Sequence, residues 1–361
     1  MGKLKTHLPE KYKYRYEQIL NIIAISGEAP FDLYNYIDIT KNTYQKTIHE
    51  LKSKGYIKTI NTHNINGYVL TLDGKRYLRN ESSLRLTFAD IRGRTSDPKL
   101  RKRCHSFAVL YATFDKLGIQ YEPSKKPQRN VHSMFDNRLI FYSAAEYKAE
   151  AGERGATFKG SRSQGIIVGK GIVYPVYIMN QRLIEFNISE LGFVNQIGKD
   201  YYNGGEISNA IIFCTNTNAI SGIIDDFINF EKNGKGENIL HSSYYKDALI
   251  LPLDDKLLLS FKTLYNYEKL KNILIRQLKI NTENTYYQSD GIINQNENVI
   301  FMFTMTVAKL TTFISINKRT KGLGHIICYD YLAPIIKKYI TAENSITVKT
   351  IKAEDVLRLL S

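Results

Sequence analysis

Residues 41–71 read KNTYQKTIHELKSKGYIKTINTHNINGYVLT, and this stretch decides how the first part of the chain folds. Along Lys41–Ser53 the apolar Tyr44, Ile48 and Leu51 recur at three- and four-residue steps, which puts them on one helical face. Asn42, Lys46, His49 and Ser53 fall on the opposite face, with Gln45 on its flank. Gly55 stops this helix. Tyr56–Ile60 then reads as a strand, Asn61–Gly67 as a polar turn and Tyr68–Thr71 as the returning strand. Upstream, Tyr16, Ile19, Leu20, Ile22 and Ile23 predict a first helix over Arg15–Ser26, closed by Gly27. Pro30 opens a short second helix reaching Tyr36, and Asp38, Ile39 and Thr40 turn the chain. Downstream, GYVLTLDGKRYL (67–78) runs from strand through a cap into a last helix.

Three helices, a hairpin and a closing helix make the order of a winged helix-turn-helix, expected over residues 1–82 with the hairpin as its wing. A polar face on the third helix suits a DNA major groove. Asn42, Gln45, Lys46 and His49 are therefore the candidate groove contacts, with Lys58 and His63 near phosphates beside the wing. Charge points the same way. The 361 residues hold 50 Lys plus Arg against 35 Asp plus Glu, a net charge of +15, and +12 of it lies in residues 1–130. A basic region attracts phosphate backbones. The same pattern would also serve a winged helix used for protein contacts, its polar face merely solvated.

Composition narrows the classes further. With 43% hydrophobic residues the chain folds, and its length predicts two or three domains. No run approaches the ~18 consecutive apolar residues of a membrane span, and the start MGKLKTHLPEKYKYRYEQ has no apolar core of a secretory signal, so a cytoplasmic protein without a membrane partner is expected. Cys104, Cys214 and Cys328 lie far apart, with no CxxC and no histidine at zinc spacing. The seven histidines are scattered and no GxxxxGK[ST] loop occurs, so neither a histidine-cluster relaxase nor ATP-driven work is supported, and no cofactor or metal is expected.

The densest basic segment, RLTFADIRGRTSDPKLRKRCH (85–105), follows the expected wing. Gly93 and Pro98 interrupt any long helix here, so residues 83–104 read as a basic connector. Arg92, Arg94, Arg101, Lys102 and Arg103 are its candidate contacts to a DNA backbone, a solvated linker being the alternative. His105 then opens a helix with Phe107, Leu110, Tyr111, Phe114 and Leu117 on one side, closed by Gly118; it reads as a cap or interface residue.

Residues 105–361 read as a mixed-sheet α/β domain. Strands are predicted at Arg138–Ser143, Gly165–Val168, Ile172–Met179, Ala210–Cys214, Ala248–Leu251, Val299–Val307, His325–Cys328 and Thr347–Ile351. Helices are predicted at Ile220–Phe230, Tyr331–Ile340 and the C-terminus, and surface loops at Lys232–Asn238 and Ile280–Asn298.

The winged helix, the basic connector, the His105 helix and then FYSAAEYK (141–148), GSRSQGIIV (160–168) and VYPVYIMNQRLIEFN (173–187) together resemble the replication-relaxation family of Gram-positive plasmids and integrative conjugative elements. The similarity covers residues 15 to about 200. It implies DNA binding in plasmid replication, relaxation or transfer, and a second domain resembling a restriction-endonuclease-like fold. An active endonuclease of that class needs an Asp on one strand and an acidic-x-Lys on the next to hold Mg²⁺ and orient water. Asp136 with Glu146-Tyr147-Lys148, and Glu150 nearby, form the one candidate set, but Glu146 follows Ser143-Ala144-Ala145 into a helix and GIIVGKGIVYPVYIMN (165–180) holds no acid. The domain is therefore read as degenerate. Arg162, in a glycine-containing loop with Gly152, Gly155 and Gly160, is a further candidate backbone contact. The resulting expectation is a non-catalytic protein that binds double-stranded DNA, with an α/β domain that dimerises or recruits a replication or transfer protein. A metal-dependent nuclease using Asp136, Glu146 and Lys148, and a winged-helix transcription regulator, are the alternatives.

Overall fold

The computed structural model describes residues 10–82, 86–87, 91–93, 95–152, 160–179, 183–202, 207–234, 237–240, 245–283, 289–294, 297–342 and 345–360. The fold is mixed α+β, and the chain divides into two compact units: Met1–Gln128 with Arg138–Phe141, and Arg129–Asn137 with Tyr142–Ser361.

The first unit holds α1 (Glu10–Ser26), β1 (Ala29–Pro30), a 3-10 turn (Leu33–Asn35), α2 (Lys41–Ser53), β2 (Ile57–Thr62), β3 (Ile65–Leu70), α3 (Leu72–Asn80) and α4 (Pro98–Leu117). Its three strands pair antiparallel in the order β1-β3-β2. The apolar stripe of α1 is buried as the periodicity predicts, with Ile19, Leu20, Ile22 and Ile23 inaccessible. Tyr16, at its head, meets Tyr56 and Tyr77 edge-on, and those two rings stack at 4.7 Å. α2 occupies the predicted residues. Thr40 caps it by accepting from the Thr43 N–H, and Tyr44, Ile48 and Leu51 form its buried side.

Three local expectations change. The second helix shrinks to a 3-10 turn because Pro30 lies in edge strand β1, opposite Gly67, and an edge strand is where a sheet tolerates a residue without an N–H. The polar turn is only two residues long. His63 and Asn64 both take left-handed φ values, 55° and 57°, so the ladder runs on to Thr62 opposite Ile65. The helix expected to open at His105 begins a full two turns earlier, at Pro98. Asp97 accepts from the N–H groups of Lys99 and Leu100, and Pro98 sits in the first turn, where a proline starts a helix and does not break one. The expected boundary between connector and second domain at residues 104 and 105 thus lies inside α4, which belongs with the first unit.

A five-stranded sheet has the order β4-β5-β6-β7-β8: β4 (Ile140–Ser143) is divided between the units, with Tyr142 and Ser143 in the second, and α5 (Ala144–Ala151), β5 (Gly165–Gly169), β6 (Ile172–Ile178), α6 (Ile188–Tyr201), β7 (Ile207–Cys214), α7 (Ala219–Lys232) and β8 (Tyr245–Pro252) belong to the second unit. β5 and β6 form an antiparallel hairpin, whereas β6, β7 and β8 run parallel through the α6 and α7 crossovers. There follow α8 (Leu257–Tyr265), α9 (Tyr267–Gln277), β9 (Gly291–Ile293), β10 (Glu297–Met302), α10 (Val307–Thr320), β11 (Gly324–Tyr329), α11 (Ala333–Lys337), β12 (Ile346–Ile351) and α12 (Ala353–Leu360). A second sheet, β12-β11-β10-β9, is parallel except for β9. Strands such as AIIFC and ALILP are buried on both faces and read as near-continuous apolar runs.

Here too the chain departs from expectation. The stretch predicted as one strand over Val299–Val307 ends at Met302, and Val307 opens α10. The predicted loop Ile280–Asn298 contains β9 and the start of β10, and the helix predicted over Tyr331–Ile340 is confined to Ala333–Lys337.

Candidate nucleic-acid interface

On α2, Asn42, Gln45, Lys46 and His49 are all exposed while Tyr44, Thr47, Ile48 and Leu51 are buried, so the helix presents two donors or acceptors on amides, an ammonium and an imidazole along one side. Further cations that the sequence reading passed over hold positions on aromatic faces around it. Lys41 lies 5.5 Å from the Tyr34 ring, Lys52 5.1 Å from Tyr68 and Lys54 4.8 Å from Tyr16. Lysine near tyrosine in sequence is too common to have marked them in advance. Lys58 is exposed on β2 and His63 at the hairpin tip. Thr71 accepts from the Gly74 N–H and donates to the Gly55 carbonyl, tying the end of α2 to the start of α3. A side chain at Gly74 would meet the Tyr56 carbonyl at 2.1 Å.

The basic segment divides by role. Arg101, expected to touch DNA, is 1% exposed. Its Nε donates to Glu28 at 2.8 Å, a terminal nitrogen reaches the other Glu28 oxygen, and the remaining donors go to the Thr62 carbonyl and hydroxyl and the Ile65 carbonyl. The fork therefore locks the base of the hairpin tip to Glu28, the residue before β1, so Arg101 does not contact a DNA backbone. The physical reason is α4: once residues 98–117 are helical, Arg101 falls on the side that carries Cys104 and Ala108. His105, read as a cap or interface residue, lies inside α4 and caps no helix end; its Nε2 lies 2.9 Å from the same Glu28 carboxylate. Burial pushes the Glu28 pKa up, but the hydrogen bonds from Arg101 and His105 outweigh it and hold the group below the usual glutamate value. Gly67 makes room for the cluster, since a Cβ there would meet Glu28 Oε1 at 2.2 Å.

Lys102 is exposed. Arg92 and Arg103 bracket one ring, 5.3 and 5.7 Å from the centroid of Phe107. Burial first, and the neighbouring Arg92 second, lower the Arg103 pKa, and its Nε is buried without a hydrogen-bond partner. Two guanidinium groups sharing a ring, with no carboxylate bonded to either among the described residues, form a positive centre that an anion would relieve. Arg94 lies outside the described residues.

Arg162 is exposed in the second unit, but the serines of its motif serve the fold. Ser161 Oγ donates to the buried Glu190 at 2.7 Å, Tyr177 donates to it at 3.2 Å, and the Arg162 N–H donates to its other oxygen. Of the nuclease set, Glu146 accepts from the Ser143 N–H at 2.8 Å while Ser143 accepts from the Glu146 N–H, a reciprocal cap of α5. Asp136 ends the 3-10 turn Val131–Phe135, and Glu150 pairs with Arg129 at 2.6 Å. Among the described residues no group of three His, Cys, Asp or Glu is placed to hold a metal ion, and no helix is long and apolar enough to cross a membrane. Set against models of protein families, curated proteins and solved structures, the chain matches none of them.

Proposed function

We propose that this protein is a non-catalytic binder of double-stranded DNA, in which α1, α2, the β2-β3 hairpin and α3 act as a winged helix-turn-helix and α2 enters the major groove. The observation that carries the reading is the two-sided α2, whose exposed side gathers Asn42, Gln45, Lys46 and His49 over a fully buried apolar side. Lys58 and His63 flank the backbone from the hairpin, and Arg92, Lys102 and Arg103 contribute phosphate contacts. The resemblance to replication-relaxation proteins assigns the binding to replication, relaxation or transfer of a plasmid or conjugative element, in the cytoplasm, with the second unit as a degenerate endonuclease-like platform for a partner protein or a second copy.

Selection of a preferred duplex from random sequence, followed by fluorescence anisotropy, tests this. The double variant Gln45→Ala/Lys46→Ala is expected to lose roughly 1–3 kcal/mol on the preferred site, the worth of a good base contact, with an unchanged melting temperature. Equal affinity of the folded variant would remove α2 from the groove.

A further inference from the structure

A cleft of about 890 Å³ lies wholly within the second unit, lined by β6, β7, β8, α9, β10 and α10. Its floor is unusual for a parallel sheet. Asn209 on β7 pairs in register with Asp247 on β8, and the β6-β7 register, Val176 opposite Ile211, places Tyr174 level with Asn209. Side chains at one level of neighbouring strands point to one face, so three polar groups cross the sheet in a row and all three line the cleft. Asn and Asp are disfavoured in strands, and both stand just before the apolar runs Ala210–Cys214 of β7 and Ala248–Pro252 of β8.

The polar groups differ in what they lack. Asn209 and Tyr174 are neighbours at one level of the sheet, and the Asn209 amide counters part of the rise that burial imposes on the Tyr174 pKa. Asp290, buried, is saturated: Lys309 donates to it at 2.7 Å, the Phe301 N–H at 2.8 Å, and Lys271 pairs with it at 2.9 Å. Asp247 is half-buried and has neither a hydrogen bond nor an ion pair among the described residues. Burial raises its pKa, with Lys309 and Lys246 pulling the other way. A half-buried carboxylate open to a cleft offers two oxygens side by side to a pair of donors. Tyr174, Tyr265, Tyr267 and Phe301 line the same cleft, walls for a planar ring, and the Tyr265 hydroxyl is buried without a hydrogen-bond partner among the described residues. Exposed Lys246, near the start of edge strand β8, itself lines the cleft although its strand neighbour Asp247 points to the other face, and it supplies a cation at the rim. The volume falls within the range of small-molecule sites.

Two adjacent N–H donors on one edge of a planar ring are what the Asp247 oxygens match. Among the common nucleobases guanine carries that pair, its ring N–H beside its amine, whereas adenine and cytosine present an amine beside an acceptor. We propose that this cleft binds a guanine nucleotide, with Asp247 accepting both donors, the ring against the tyrosines and the phosphate at Lys246. The proposal does not depend on DNA binding by the first unit.

Calorimetric titration of the full chain with GMP, AMP and inorganic phosphate tests it. GMP is expected to bind at least tenfold more tightly than AMP or phosphate. Asp247→Asn is expected to lose GMP affinity by at least tenfold and to gain xanthosine monophosphate, whose carbonyl takes the new amide donor, a gain that damage to the fold cannot produce. Lys246→Gln, at an exposed position, is expected to weaken GMP and leave guanosine unchanged, and it decides the matter if the Asp247 variant does not fold. No GMP binding at millimolar concentration, AMP binding as tightly as GMP, unchanged GMP affinity in folded Asp247→Asn, or an equal response of GMP and guanosine to Lys246→Gln would each overturn it.

Discussion

Arg101 and Arg103 stand two positions apart in one helix and meet opposite environments. Arg101 is buried with every direction of its fork satisfied, whereas Arg103 lies over Phe107 with an unpartnered Nε. Removing one member of a buried pair leaves the other charged and unpaired, so Arg101→Met should destabilise the protein by roughly 3–5 kcal/mol in urea unfolding. Lysine cannot reproduce a five-donor fork, and Arg101→Lys should recover little of that loss. Neutralising Lys102 and Arg103 should leave stability nearly unchanged and flatten the salt dependence of DNA affinity by roughly one log unit per lost phosphate contact. A salt slope that survives that change would show that these cations are simply solvated. Glu28 sets a pH dependence with a definite sign. Its folded pKa lies below the ordinary glutamate value, so its contribution is complete above that ordinary value and disappears as pH falls through the lower folded one. The urea midpoint should therefore drop on acidification through this window, and Glu28→Gln should abolish part of the slope.

Caps decide where elements begin. Asp97 and Pro98 start α4 where the sequence reading placed a break, because proline ends a helix only from its interior. Asp97→Ala should cost about 1 kcal/mol and reduce helical content at the start of α4, measurable by amide exchange of residues 99–102. Ser143 and Glu146 cap α5 in the same manner. Glu146→Ala should accordingly lower stability by about 0.5–2 kcal/mol, and plasmid incubated with Mg²⁺ should stay supercoiled with either form of the protein. Nicking by the parent that vanishes in a folded Glu146→Ala protein would restore the nuclease reading. α2 was legible to the residue from its Tyr-Ile-Leu stripe and the turn before it, and the structure adds that Thr40 of that turn caps it. The hairpin was legible as a hairpin, but its length was not. Asn61 and Asn66 look like turn residues, yet they pair across the ladder, and the turn falls on His63-Asn64.

At the scale of the molecule, the three cysteines report on integrity. Cys104, Cys214 and Cys328 are buried, and burial pushes the thiols of Cys214 and Cys328 up to about 12. A thiolate is the reactive form, so a thiol-specific reagent at neutral pH should label none of the three until denaturant unfolds the chain. Fast labelling of the native protein would contradict the packing of both units. Most of the net positive charge, +12 of +15, belongs to residues 1–130, and these lie almost wholly in the first unit, so that unit should carry the sequence-independent affinity for polyanions.

The amino-acid sequence by itself determined the mixed α+β class, the extent of α2, the strands at Ile172, Ala210, Ala248 and His325, and the concentration of positive charge near the start. Each of these follows from a local pattern: a period, an apolar run or a count. Only tertiary structure decided which cations face water. Helical phase turns Arg101 inward beside Lys102 and Arg103, and its carboxylate partner, Glu28, stands 73 residues away. The cleft was equally hidden. Asn209 and Asp247 become neighbours through a parallel register between strands separated by a whole crossover helix, and no pattern read along one strand carries the register of the next.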